Sequence, residues 1–272
     1  MAAYNRVNGG EMKEECAWYC DTMVGPKKYR AGALNNKTVI QAVSSRECGN
    51  MALHTGDIPE QVIANRKSFL QSFHLKLENL ITAEQIHGTS IQIVGRREVG
   101  AGALSERTAL SKTDALITGE RGIILGIFTA DCLPIFIYDP IAPAVAIVHA
   151  GWRGTVAGIS RLVMDKMIQT FKTDPVNFHV AIGPAICSSC FEVSSEVADL
   201  FGEANPETVT HTKSGFRVDL AGFNFRLFEQ AGVRRKNIEV ANLCTGCSNE
   251  DFFSHRIEKG TKGRIMGIIA LQ

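Results

Sequence analysis

Net charge is almost missing from this sequence. Its 29 basic and 28 acidic residues leave a formal charge of +1, and the two signs are interspersed. The electrostatic footprint that nucleic acid or an anionic membrane surface demands is therefore absent. Long apolar runs are missing too. The most hydrophobic segment, "GIILGIFTADCLPIFIY", is broken by Asp131 and Pro134, so it does not supply the roughly 20 consecutive apolar residues of a membrane span. The first twenty residues, "MAAYNRVNGGEMKEECAWYC", hold no apolar core of a secretory signal. A cytoplasmic location is the expectation. No internal repeat, low-complexity tract or Pro/Ser-rich linker divides the 272 residues, which argues for a single domain over 1–272. No P-loop or dinucleotide fingerprint is present.

Without an export signal, the eight cysteines are expected as reduced thiols or metal ligands, not as a disulfide framework. Cys187 with Cys190 and Cys244 with Cys247 have CxxC spacing, which allows a four-thiolate zinc site. The pairs lie far apart in the chain, and no zinc-ribbon context surrounds either. Reduced, partly buried thiols are the expectation for them.

Residues 1–38 show no clear periodicity. In "GDIPEQVIANRKSFLQSF" a helix is predicted, with Asp57 and Glu60 at capping-box spacing and Val62, Ile63, Arg66, Leu70 and Phe73 along one face. The polar stretch 97–113 reads as a mobile surface loop. Three apolar β-rich runs follow, "GIILGIF", "PIFIYD" and "AVAIVH", the last two joined by "DPIAP", a turn with hairpin chemistry. A helix is predicted over "TVAGISRLVMDKMIQTF", with Ile159, Leu162, Val163, Lys166, Met167 and Thr170 on one face. Later segments alternate between strand-like and helical. The fold class expected is α+β, mixed sheets covered by helices in an α-β-β-α-like sandwich.

The stretch "HAGWRGT" falls between a strand and that helix. His149 ends the strand, the glycines permit close backbone approach to a ligand, and the helix N-terminus with Arg153 forms a site for phosphate or carboxylate. The other reading of the same turn has Arg153 simply solvated. Two further stretches, "EQIHG" with His87 and "TADCLP" with Cys132, also place a ligand-forming side chain beside an apolar strand end. Two imidazoles and a thiolate suit zinc, with the fourth position open to water or substrate. Copper is a less favoured occupant of the same donors. Asp131, next to Cys132, reads either as an acidic helper or as a strand-end residue bonding backbone N–H groups.

Taken in order, "QIHG", "TADCLPIFIYDP", "HAGWRGT", "AIGPAI" and "FFSHR" followed by "GTKGR" resemble the signature stretches of the laccase-domain (YfiH-like) family, over residues 40 to 270. The family is also described as polyphenol oxidase, purine nucleoside phosphorylase and peptidoglycan editing factor. The resemblance implies one α/β-rich domain and a His-Cys-His metal or catalytic site at His87, Cys132 and His149. It also implies phosphorolysis of adenosine, inosine, guanosine and methylthioadenosine, with adenosine deamination as a second activity. In place of the family's usual N-terminal segment stands "SSRECGNMALHTGD", where Arg46, Asn50 and His54 are the matching positions. After "AIGPAI" the usual Gly-Pro-Cys-Cys-Tyr becomes "CSSCF". The C-terminal match places His255, Arg256 and Arg264 beside the pocket.

Chemistry separates these names. Phosphorolysis requires a phosphate held under the ribose C1′ and a polarising group at the departing base. Arg153, Arg46, Asn50 and Arg264 are the candidate substrate and phosphate contacts, and His87 or His149 the acid toward the base. Trp152 is a candidate to stack on the purine, or else covers core. Deamination by a metal-bound hydroxide must use the same His-Cys-His donors, because no His-x-Glu occurs in the chain. A multicopper cluster is ill served by seven histidines without one His-x-His pair. The other reading is a Cys-His hydrolase with Cys132 as nucleophile, in keeping with peptidoglycan precursor editing. Purine nucleosides and phosphate are the expected small-molecule partners, with no nucleic acid and no membrane. Oligomeric state is not readable from the sequence.

Overall fold

A computed structural model describes residues 18–272. In chain order the first elements are strands β1 (Tyr19–Asp21), β2 (Lys28–Arg30) and β3 (Val39–Ser44), helix α1 (Pro59–Gln71), then β4 (Leu80–Ile81) and β5 (Ile91–Ile93). Strands β6 (Ala115–Thr118), β7 (Ile124–Thr129), β8 (Leu133–Asp139) and β9 (Ala144–Ala150) follow without an intervening helix. Helices α2 (Trp152–Val156) and α3 (Ile159–Phe171) lead to β10 (His179–Ile182), β11 (Glu192–Val193) and α4 (Ser195–Ala204). The remainder is β12 (Val209–Thr212), β13 (Gly215–Val218), α5 (Leu220–Gln230), β14 (Ile238–Val240) and β15 (Ile265–Leu271).

The apolar runs become strands buried on both faces. In β8, Leu133, Ile135 and Ile137 point one way into a core shared with α3 and α5. The alternate residues Phe136 and Tyr138 point the other way into a second core. Strand β7 divides likewise, with Leu125 and Ile127 in that second core and Ile124 and Phe128 in a third, against α1. The second core thus lies between two six-stranded sheets, ordered β1-β2-β3-β15-β7-β4 and β14-β10-β8-β9-β6-β5. With α1 outside one and α3 and α5 outside the other, the layers run α-β-β-α, as the residue pattern predicts. A small sheet, β11-β13-β12, flanks the helical face. Among the described residues no helix is long and apolar enough to cross a membrane.

The chain passes from the first sheet to the second between β7 and β8, in the turn "TADC". Asp131 makes that corner with a φ of 91°, a backbone region that non-glycine residues seldom occupy. The β8–β9 hairpin closes through Asp139, whose carboxylate accepts from the N–H groups of Ile141 and Ala142. That turn sets the register Pro134↔His149 and Leu133↔Ala150, so His149 and Cys132 come side by side at the hairpin's open end.

Several expectations need correction. Part of the uncommitted N-terminal segment, residues 18–38, contributes β1 and β2 to the first sheet, while residues 1–17 lie outside the described region. Helix α1 has Ile58 at its N-cap and no capping box. Asp57 bonds the Ile58 N–H and Asn50 instead. Its buried face is Val62, Arg66, Phe69 and Leu70. The single helix predicted after "HAGWRG" is two helices, parted where Gly158 takes a φ of 76°. The restart turns Ser160 and Met164 inward and leaves Leu162 42% exposed.

The stretch 97–113 is anchored, not free. Arg66, 1% exposed, donates to the carbonyls of Met51, Gly102 and Ala103 at 2.7–2.8 Å and covers the Phe128 ring. Burial pulls its pKa down to about 10, and no carboxylate among the described residues pairs with it. Arg66→Ala leaves three buried carbonyls without donors, each worth about 1–3 kcal/mol. The expected loss of stability is about 3 kcal/mol or more by urea unfolding. A loss below about 1 kcal/mol would mean that the loop is held by other contacts.

Candidate active site

The cleft lies at the open end of the β8–β9 hairpin, over the seam between the two sheets. His87 sits in the loop after β4 and reaches its position through a left-handed turn, φ 60°. Gln85 fastens that loop to β7. Its side-chain amide donates to the Phe128 carbonyl and accepts from the Phe128 N–H, both at 2.8 Å. Cys132 comes from the sheet-to-sheet corner and His149 from the end of β9. The ligand atoms of the three lie within 4.8 Å of one another, and the two imidazole rings meet edge-to-face at 4.7 Å.

Asp114, fully buried just before β6, organises this set. Its Oδ1 accepts from His149 Nδ1 at 2.8 Å and from the His87 N–H at 2.9 Å. Its Oδ2 accepts from the Gly88 N–H at 2.7 Å, and its carbonyl from the His149 N–H at 2.7 Å. With Nδ1 committed to a carboxylate, His149 presents Nε2 to the cleft, the arrangement that orients a metal-ligating imidazole. The sequence offers no signal for Asp114, a lone acid in "SKTDAL".

The glycines of "HAGWRG" answer to the protein's own packing. A Cβ on Gly151 would stand 3.0 Å from the His87 ring and 3.1 Å from Cys132 Sγ, and one on Gly154 would stand 2.8 Å from the Gly88 carbonyl. They let the turn close over the His87 loop, not over a ligand as the sequence suggests. Helix α2, of five residues, is too short to make the anion-binding helix terminus expected there.

Electrostatics tie Cys132 to His149. Burial alone raises a thiol pKa, but the His149 charge and hydrogen bonds from both histidines hold Cys132 down at about 6. Burial likewise opposes protonation of His149. The Cys132 thiolate and the Asp114 hydrogen bond overcome that and push it up to about 9. Between those values the metal-free pair is thiolate and imidazolium. The donor chemistry fits a metal ion: two imidazoles and an ionisable thiol, one imidazole oriented by a carboxylate, open on one side.

The cleft holds about 440 Å³, within the range of small-molecule sites. His87, Cys132 and His149 form its floor. Trp152, Phe128, Ile186 and Phe191 supply apolar wall, and Arg153, Arg256 and Arg264 line it together with His54 and His255. Arg256 donates to the Glu192 carbonyl and Arg264 to those of Thr261 and Gly263. Arg153, exposed, stacks on the Trp152 ring at 4.2 Å. Its guanidinium has no hydrogen bond or ion pair among the described residues.

Two predicted contacts lie elsewhere. Arg46 is held by Glu258 at 2.6 Å and by the carbonyls of Asn249 and Phe252, and it covers Phe253. Asn50 spends its side chain on Ala52, Thr55, Asp57 and the Arg264 N–H. Neither lines the cleft; Asn50 acts by positioning Arg264. Asp131 does line it, but its carboxylate is engaged by the Thr245 hydroxyl at 2.6 Å and the Arg256 N–H at 2.7 Å. His54, one of the three matching positions of the N-terminal segment, lines the cleft. Gln85, Ile186 and Phe191 line it too and come from loops without a spacing rule.

In metal-free protein, iodoacetamide alkylation of Cys132 should reach half its plateau rate near pH 6, since the thiolate forms above that value and is lost below it. His149→Ala removes the charge and should move that midpoint upward toward the ordinary thiol value of about 8.5. An unchanged midpoint would dissociate the two groups. Gly151→Ala, which forces Cys132 and His87 apart, should weaken metal retention in equilibrium dialysis by roughly tenfold or more, as disturbances around ligands do.

Comparison with known proteins gives this geometry relatives. The chain is 32% identical to purine nucleoside phosphorylase YlmD of Bacillus subtilis, over 88% of this chain and 90% of the relative. It is 34% identical to an adenosine deaminase from an unknown prokaryotic organism, over 76% and 80% of the two chains. The crystal structure of YlmD from Geobacillus stearothermophilus superposes with a TM-score of 0.88 at 33% identity, covering 95% of this chain and 100% of that one. Residues 36–272 match the family model described as multi-copper polyphenol oxidoreductase laccase, and the chain belongs to that family.

Proposed function

We propose that the protein is a purine nucleoside phosphorylase whose floor residues His87, Cys132 and His149 hold a zinc ion, with adenosine deamination as a second activity. The observation that carries this reading is the pairing of that donor set with an arginine-lined cleft in which Arg153 keeps its donors free. Deamination of a neutral nucleoside has no use for an anion site, whereas phosphorolysis requires one. Relatives bearing both activity names support the substrate class.

Arg153 binds phosphate through its guanidinium fork, and Arg264, placed by Asn50, faces the same space. Trp152 and Phe191 exclude water and give the purine and ribose an apolar seat. Asp114 fixes the orientation of the His149 ring and anchors the backbone at His87, so that little reorganisation is needed as charge develops. When bound, the metal supplies Lewis-acid polarisation and a lowered pKa for coordinated water. Adenosine, inosine, guanosine and methylthioadenosine are the substrates proposed, in a cytoplasmic setting.

A second reading has support of its own. Cys132, His149 and Asp114 stand in the order nucleophile, base and orienting carboxylate, with the thiol held near 6. That arrangement suits a Cys-His hydrolase acting on peptidoglycan precursors.

Adenosine incubated with pure protein, with and without phosphate, separates these readings by chromatography of the products. Adenine and ribose-1-phosphate are expected only with phosphate, and Arg153→Ala should raise the KM for phosphate roughly ten- to hundredfold, the worth of one charged hydrogen-bonding group. Inosine in both tubes would make deamination the main reaction. Absence of turnover in both would overturn the nucleoside reading and favour the hydrolase.

A further inference from the structure

We infer that the protein carries a second, structural metal site, a zinc ion held by the four thiolates of Cys187, Cys190, Cys244 and Cys247. The sequence favours separate reduced thiols at these positions; the fold brings the two CxxC turns together. All four sulfurs lie within 4.8 Å of one another. Cys247 Sγ is 3.5 Å from Cys190 Sγ and 4.0 Å from Cys187 Sγ. Zinc–sulfur bonds of about 2.3 Å in a tetrahedron place sulfurs about 3.8 Å apart, so the set needs only small rotamer adjustments to close on an ion. All four cysteines are free of disulfide bonds.

The backbone around the sulfurs is also that of a metal knuckle. Cys244 Sγ accepts N–H bonds from Cys247, within its own turn, and from Cys187, across the gap, both at 3.3 Å. Such bonds offset the negative charge that four thiolates place on one ion. The second turn packs directly on the first, since a Cβ on Gly246 would stand in van der Waals contact with Cys190, 3.5 Å from its Sγ. A ligand set of four soft sulfurs in tetrahedral reach selects zinc or iron over harder ions. Four protein ligands close the coordination sphere and leave no position for substrate, which distinguishes this site from the open donor set in the cleft. The assignment is independent of the reaction performed there.

Its structural effect falls on the cleft wall. The first turn lies in the chain between Ile186 and Phe191, and the second precedes His255 and Arg256, all four of which line the cleft. Beside this site, the two segments are joined by one parallel bridge at Ala185 and Cys244, made of the bonds from the Ala185 N–H to the Leu243 carbonyl and from the Thr245 N–H to the Ala185 carbonyl.

The test uses protein expressed with zinc, compared with a Cys190→Ser/Cys247→Ser variant and with Cys132→Ala, by elemental analysis and thiol alkylation. The double variant should hold about one zinc equivalent per chain less than wild type. In wild type, alkylation at the four cysteines should be slowed at least about tenfold and restored by a chelator. Cobalt-loaded Cys132→Ala, which lacks the thiolate of the cleft, should show tetrahedral d–d bands with strong thiolate-to-metal charge transfer. That spectrum decides the matter if the double variant fails to fold. Unchanged zinc content in a folded double variant, two disulfides in the native protein, or no charge-transfer band would each overturn the site, and iron in place of zinc would overturn the choice of metal.

Discussion

Asp131 turns the corner at which the chain leaves one sheet for the other, and the cleft is organised around that turn. Its strained backbone is held from three sides. Thr245 and the Arg256 N–H bind its carboxylate, and the Ile186 N–H donates to its carbonyl. These contacts gather the loops before β11 and before β15 against the turn that presents Cys132. A residue in this region of backbone space costs about 1–3 kcal/mol, so the corner persists because its surroundings determine it on every side. The same loops meet again at the four cysteines, and the wall of the cleft is thus fixed at two points along each loop.

A second carboxylate does the corresponding work for the histidines. Asp114 is buried beside His149 with its carboxylate against that ring, and it stays in its charged form. Burial pushes its pKa up, and the bonds from His149, Gly88 and His87 outweigh that and bring it down. The consequence is a chain of alternating charge, Asp114, His149, Cys132, running from the core to the cleft floor. Metal binding and nucleophilic reactivity draw on that one chain, which is why both readings of the site share their residues.

Much of this was legible in the sequence because certain segments admit few interpretations. Apolar β-rich runs such as "PIFIYD" and "AVAIVH" read as strands, which the fold buries on both faces, and the Asp139 turn between them sets the register that brings Cys132 to His149. The side chains that depended on long-range packing were not legible. Asp114 sits in a polar stretch and gains its meaning only when β6 pairs with β9. Arg46 looked available for phosphate until Glu258, more than two hundred residues later, claimed it. The polar character of 97–113 suggested freedom, but its carbonyls are the partners of a buried guanidinium in α1. The cysteine pairs looked unrelated for the same reason, since separation along the chain says nothing about loops at one end of a sheet.

The pairing of β3 with β15 joins Val39 to Leu271 and Val43 to Gly267 in the middle of the first sheet. The second sheet is drawn wholly from residues 91–240. Contacts so distant in sequence are entropically expensive to close and form slowly. The two halves of the sandwich are therefore unequal kinetically: one is assembled from strands nearer in sequence, and the other waits for β3 and β15 to find each other. The cleft straddles both, so its floor takes its final shape only after the slower half is complete.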